Sequence, residues 1–351
     1  MNNQILTKKK YRPEIDGIRA FAIIAVIINH FNKEILPSGY LGVDIFFVIS
    51  GYVITSSLHD KDFKSLWEFL YIFFERRIRR LVPALVFFVT VTSIFICFFN
   101  PYPGFSLITG ITSLFGLSNL YLIKQSTDYF AQSTEMNVFT HTWSLGVEEQ
   151  FYVLFPFLIW FSNIRSKAKT GTNKFLGLIL ILTIFSFITF IFLFSTSPNS
   201  AYFLMPARFW EISTGSLVFL GINKKFLICS SLEKIPVPIT LLIMILLMFL
   251  PINITIFSII FTVLSTSILL ISLKKGKLGF NLFTNKKVVN VGLLSYSLYL
   301  WHWSIISISR WTIGIYWWTI PFQIILIYLI SRFSYNNVES PFRLKRSIKK
   351  F

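Results

Sequence analysis

Apolar and polar positions along this chain fall into long blocks. Apolar runs at 17–32, 40–58, 81–99, 142–162, 175–195, 202–220, 236–251, 253–272, 288–309 and 317–334 are separated by short gaps rich in Lys and Arg. Runs of this kind predict helices, because about 20 apolar residues in a helix cross a hydrocarbon layer about 30 Å thick. One further run, 105–123, differs in kind, since Gly110, Ser113, Gly116, Ser118 and Asn119 interrupt it. Charge decides how to read it. With ten crossings and both termini cytoplasmic, 29 of the 33 Lys and Arg fall in cytoplasmic segments, the bias that the positive-inside rule expects. A full crossing by 105–123 would carry 18 of these residues to the other face. The expected fold is therefore an all-α polytopic integral membrane protein with about ten transmembrane helices and a re-entrant or interfacial segment near 105–123. Irregular backbone at that depth is tolerated only where protein or water covers it, so residues 100–140 are expected to line an outward-facing cavity. No repeat or linker divides the sequence, which reads as a single domain over 1–351.

Composition agrees and excludes other classes. With 54% hydrophobic, 18% aromatic and 14% charged residues and a mean hydropathy of +0.66, the chain is too apolar for a soluble domain. The net charge of +18 would suggest nucleic acid in a soluble protein. Here the basic residues sit in the gaps between helices, so they set topology and meet anionic lipid headgroups, and no nucleic-acid partner is expected. Cys97 and Cys229 fall toward opposite faces of the membrane, which disfavours a disulfide, and no ligand spacing for a metal is present. The basic start and first apolar run have the outline of a signal peptide, but Arg19 and His30 interrupt the run, which reads as a retained first helix.

Those two residues open the question of chemistry. An ionisable group within a membrane segment is costly unless it faces protein or water, so it points to function by default. Arg19 and His30 are eleven helical steps apart, roughly 16 Å along one face, which separates a cationic anchor from a deeper proton acceptor. Asp44, in GYLGVDIFFVISGYVIT, is a second intramembrane charge; it serves a structural ion pair, orients His30 or binds substrate. Arg76, Arg77, Arg79 and Arg80 are either headgroup anchors or a guanidinium cluster for the phosphates of a cytosolic donor, and Pro83 should disturb the helix they occupy. HTWSLGVEEQFY holds His141, Ser144, Glu148 and Glu149, as a solvated helix start or as a substrate site. Arg208 and Glu211, three apart, are expected to pair with each other. SYSLYLWHW places Tyr299, His302 and Trp303 together, an interfacial aromatic belt or a platform for a sugar ring.

The order of these motifs carries a resemblance. YRPEIDGIRA with His30, GYLGVDIFFVISGYVIT, ERRIRRLVPAL, HTWSLGVEEQFY, RFWEISTG, LSYSLYLWHW and ESPFR together resemble the bacterial membrane acyltransferase-3 family over essentially the whole chain. The resemblance implies that Arg19 and His30 form the signature of the active site. It also implies that the cytoplasmic Arg-x-x-Arg element corresponds to Arg77 and Arg80, with Arg76 and Arg79 at the same spacing. Gly146 and Ser304 depart from the pattern, where many members carry Ser and Pro. The implied activity is O-acyl transfer, usually of acetyl from acetyl-CoA, with no permanently bound cofactor. The implied acceptor is a glycan or lipid-linked saccharide of O-antigen, lipopolysaccharide or exopolysaccharide, reached from the bacterial inner (cytoplasmic) membrane. Some relatives carry an extra hydrolase-like domain, and this sequence resembles the stand-alone type. On this reading the four arginines hold the donor, and His30 is the base with Asp44 or Glu148 as its partner. His141, Ser144, Glu149, Tyr299, His302 and Trp303 are then expected to bind the acceptor. A multispan glycan transporter or flippase and a polysaccharide polymerase are the competing classes.

Overall fold

The computed structural model describes residues 11–59, 63, 65–125, 129, 132–162 and 169–344. The basic residues Lys8 to Lys10, Lys61, Lys64, Arg165, Lys167 and those after 344 lie outside the described residues. Among the described residues all regular structure is helical: α1 (Pro13–Phe31), α2 (Gly42–Leu58), α3 (Leu66–Phe99), α4 (Gly104–Leu114), α5 (Ser118–Lys124), α6 (Trp143–Ser162), α7 (Lys169–Thr196), α8 (Pro198–Phe203), α9 (Met205–Asn223), α10 (Leu227–Leu232), α11 (Val237–Met248), α12 (Thr255–Ser272), α13 (Phe280–Phe283), α14 (Lys286–Trp311), α15 (Ile320–Ser334) and α16 (Ser340–Leu344).

Among the described residues, five helical stretches are long and apolar enough to cross a membrane: Gly39–Leu58, Leu66–Phe99, Gly171–Thr196, Ile252–Ser272 and Lys286–Trp311. The sequence pattern asked for about ten. Part of the difference has a chemical cause, because α1, α6 and α9 are 19, 20 and 19 residues long but carry Arg19, Glu148, Glu149, Arg208 and Glu211 in place of apolar side chains.

The bundle is built around α14, with 83% of its apolar stretch buried, whereas only 17% of that of α7 is buried. α1 lies along α14, α2 along α1, α9 along α2, and α7 covers α9. The α2–α9 seam is the tightest. A methyl on Gly51 would meet the Ile212 carbonyl and one on Gly215 the Val48 carbonyl, so only glycine lets the two backbones touch.

One element, α3, differs from the sequence expectation, and a second, the run 105–123, takes the non-spanning form expected of it. The helix expected at 81–99 begins at Leu66 and runs unbroken for 34 residues, with Pro83 inside it. Ser65 starts it by accepting from the Glu68 amide at 3.1 Å, and Glu75 and Arg79 pair across one turn at 2.8 Å, so the polar stretch before the membrane is helical too. The run 105–123 is two short helices, α4 and α5, broken around Gly116 at φ 67°. At about 1.5 Å per residue neither alone spans a bilayer.

Candidate functional site

The N-terminal half of α1 borders a cavity of about 510 Å³ whose lining includes Arg12, Arg19, Arg77, Arg80 and Arg343. Not all of these cations are available to a ligand. Arg12 pairs with Glu14 at 2.6 Å and also donates to the Tyr52 hydroxyl, and Arg19 pairs with Asp16 at 3.3 Å. Arg77 and Arg80 form no ion pair among the described residues. The Arg77 guanidinium lies 4.7 Å over the Tyr152 ring, and the buried Nε of Arg80 has no hydrogen-bond partner among the described residues. Deeper in, Glu148 accepts from Ser50 Oγ at 2.8 Å and from Tyr152 at 2.9 Å. Apolar side chains such as Phe46, Val53 and Leu145 form the walls, and Ser144 and Tyr299 line the cavity as well. Their hydroxyls are 2.7 Å apart, and Tyr299 donates to the His141 carbonyl at 2.8 Å.

The Tyr299 ring links this cavity to a histidine cluster, since its centroid lies 5.4 Å from His141 and 5.5 Å from His302. His302 Nε2 is 2.9 Å from His30 Nδ1, and the two rings lie edge to edge within 5° of parallel, their centroids 5.2 Å apart. His30 Nε2 is 3.2 Å from the Tyr129 hydroxyl, and the Trp303 ring meets His30 edge-on at 4.5 Å. His30, Tyr129 and Trp303 line a separate narrow cleft with Lys33 and Tyr40. The segment over this cleft is tied down at several points. Trp303 Nε1 donates to the Asn137 carbonyl at 2.8 Å and Ser304 Oγ to the Val138 carbonyl at 2.6 Å. Glu135 bridges Lys33 at 2.6 Å and Arg310 at 3.2 Å, while Arg310 also donates to the His30 carbonyl at 2.8 Å.

Of the residues singled out from sequence, His30, His141, Ser144, Tyr299, His302 and Trp303 form one connected group. The others lie elsewhere. Asp44 is not at His30; it accepts from Arg208 at 3.0 Å, and Arg208 pairs with Glu211 at 2.6 Å, all three buried. Glu148 belongs to the arginine-lined cavity, and Glu149 packs against Gly116. On α3 only Arg77 and Arg80 reach the cavity, while Arg76 and Arg79 do not line it and Arg79 is held by Glu75. The two departures from the motif pattern fit their surroundings. A Cβ at position 146 would crowd Asn119 and the Gly116 carbonyl, and Ser304 makes a hydrogen bond that proline could not.

Tyr129 was not singled out from the sequence, whereas Arg12 and Arg343 stand in the motifs YRPEIDGIRA and ESPFR. Tyr129, followed by Phe130, stands in a polar stretch with no periodicity, and its only signal was the expectation that 100–140 lines a cavity. It is boxed by aromatic rings, stacked on Tyr202 at 4.6 Å and edge-on to Trp143 at 5.8 Å. Arg208 holds Tyr202 in turn, with its guanidinium 4.5 Å over that ring.

The family model described as an acyltransferase domain, of the acyltransferase-3 type, matches residues 12–333. O-acetyltransferase OatA of Staphylococcus aureus (strain NCTC 8325 / PS 47) is 34% identical to the chain over 372 residues, covering 97% of this chain and 58% of the relative. Peptidoglycan O-acetyltransferase OatA of Listeria monocytogenes serovar 1/2a (strain ATCC BAA-679 / EGD-e) is 30% identical, covering 98% of this chain and 57% of the relative. A putative O-acetyltransferase of Staphylococcus aureus (strain MSSA476) is 31% identical over 97% of this chain and 59% of the relative. The chain thus spans under three fifths of the length of these curated relatives. No solved structure matches it.

Proposed function

The chain belongs to the acyltransferase-3 family, and from that premise we propose that it moves an acetyl group from cytoplasmic acetyl-CoA to a sugar hydroxyl on the far side of the bacterial cytoplasmic membrane. About ten crossings, counting the charged helices α1, α6 and α9, would place both termini and the arginine-lined cavity on the cytoplasmic side. The observation that carries the reading is the pair of openings joined through Tyr299, His302 and His30, one rich in guanidinium groups and the other presenting an imidazole. Phosphates of the donor fit Arg77 and Arg80, which form no ion pair among the described residues, with Arg12 and Arg343 nearby. The pantetheine arm fits the apolar walls, and its thioester then lies toward Ser144 and Tyr299.

In the histidine cleft, His30 is positioned to act as general base. It takes the proton of a hydroxyl as that oxygen forms its bond to the acyl carbon, the carbon–sulfur bond breaks, and coenzyme A leaves as a thiolate into the arginine cavity. The hydroxyl at Nε2 in the structure is that of Tyr129, so the base serves either this phenol, as an acyl carrier, or the acceptor hydroxyl that displaces it. The Listeria protein's name, a peptidoglycan O-acetyltransferase, makes peptidoglycan the first acceptor to test, ahead of O-antigen, lipopolysaccharide or exopolysaccharide.

The test is mass spectrometry of surface glycans from cells with the gene, without it, and with His30→Ala at equal membrane abundance. The acetyl mass increment is expected only with the intact protein. Its persistence in His30→Ala would remove His30 from the chemistry, and its absence from every sample would favour a transporter.

A further inference from the structure

The bonding around the two paired histidines determines which nitrogen of His30 is the base. His302 Nδ1 lies 3.0 Å from the Leu298 carbonyl one turn earlier in α14. A carbonyl oxygen only accepts, so His302 Nδ1 carries a proton, and in the neutral ring Nε2 is left as an acceptor. The atom facing that lone pair is His30 Nδ1, at 2.9 Å. Two lone pairs at this distance would repel, so His30 Nδ1 is the donor. His30 Nε2 is then unprotonated, and Tyr129, at 3.2 Å, donates to it. The direction of every bond from the Leu298 carbonyl to the Tyr129 hydroxyl follows from one backbone oxygen.

We propose that His302 is a positioning residue that fixes the Nδ1–H tautomer of His30 and aims its Nε2 lone pair into the cleft. The role rests on the acyl-transfer reading above. It is the part played elsewhere by a carboxylate behind a catalytic histidine, and here no carboxylate among the described residues bonds to either ring. Asp44 is occupied by Arg208, Glu148 faces the other cavity, and Glu135 is spent between Lys33 and Arg310. The remaining polar groups around His30 are Asn29, which donates to the Leu36 and Pro37 carbonyls, Tyr40 and Lys33 in the cleft, Arg310 on its carbonyl and His141 beyond His302. None of these bonds to His30 Nδ1. The in-plane hydrogen bond to His302 and the edge of Trp303 fix the plane of the base, and Trp303 is itself held by the Asn137 carbonyl. A neutral partner orients the base without adding an unpaired charge to a buried site, where a carboxylate would need its own compensation.

The proposal separates two substitutions of nearly equal size. Gln at 302 presents a carbonyl oxygen that accepts from His30 Nδ1–H, and Met presents no comparable acceptor. Purified protein in lipid nanodiscs is assayed with acetyl-CoA and an N-acetylglucosamine oligosaccharide. His302→Met is expected to lower kcat at least about 100-fold with KM for both substrates within about twofold, while His302→Gln recovers at least about a tenth of wild-type kcat. Equal kcat for His302→Met and wild type, or equal loss in the Met and Gln variants, would overturn the proposal. A second measurement needs no stable variant at 302. The 15N spectrum of histidine-labelled wild type, with His30 signals identified by their loss in His30→Ala, is expected to show a protonated Nδ1 and a lone-pair Nε2 at His30. The opposite assignment would overturn the proposal even if the chain transfers nothing to the oligosaccharide, so its failure is distinguishable from failure of the acyltransferase reading.

Discussion

Tyr129 touches the imidazole at the centre of the site, yet nothing in its own stretch of sequence marks it. Its ring is held by Tyr202 and Trp143, so removing the hydroxyl alone leaves the packing intact. Tyr129→Phe is expected to lower kcat by about tenfold or more with the KM for acetyl-CoA unchanged, which steady-state kinetics checks directly. The residues that were legible share a property. His30, His302 and Arg208 are polar groups inside apolar runs, where their cost announces them. A tyrosine between two runs carries no such cost. Pairings were less legible than positions, because a carboxylate such as Asp44 finds the nearest compatible cation in space, and Arg208 was recognised only as a partner of Glu211, three residues away on its own helix.

At the scale of elements, α3 shows how a face sorts four similar side chains. Residues 77 and 80 are three apart and share a side of the helix, and that side borders the cavity, whereas Arg79 is one step round and engages Glu75. Removing charge-assisted contacts worth about 1.5–3 kcal/mol corresponds to roughly 10- to 100-fold in affinity. Arg77→Ala is therefore expected to raise the KM for acetyl-CoA by that factor, and Arg79→Ala to leave it within about twofold. Titration with acetyl-CoA separates them. The sequence pattern found the apolar part of this helix and missed its polar beginning, because periodicity fades where charges dominate and only the Ser65–Glu68 cap marks the start. The broken pair α4 and α5 was legible from its small residues, since glycine and serine interrupt an otherwise apolar run.

Across the whole molecule, the contact between α2 and α9 ties the buried charges to the aromatic box around Tyr129. Their glycine seam brings Asp44 to Arg208, and Arg208 in turn holds Tyr202 beneath Tyr129. Arg208→Met would leave Asp44 and Glu211 side by side without a cation, a change expected to cost about 3–5 kcal/mol and to appear as a lowered melting temperature and reduced membrane abundance. Fold class was legible because lipid imposes one rule on the entire chain, that backbone polar groups bond within helices. The number of crossings was less so, because α1, α6 and α9, the helices with buried charges, are the ones whose apolarity is diluted. The buried triad also constrains how the chain is made. Asp44 precedes Arg208 by 164 residues, a delay of roughly 8–30 s at ribosomal speeds of about 5–20 residues per second. Throughout that interval α2 is already available. α9, when it arrives, carries a guanidinium that lipid alone would hold only at a cost of about 2.5 kcal/mol or more. An α9 that crosses the bilayer is therefore expected to dock on α2 as it leaves the translocation channel, since the order of synthesis supplies the dock first.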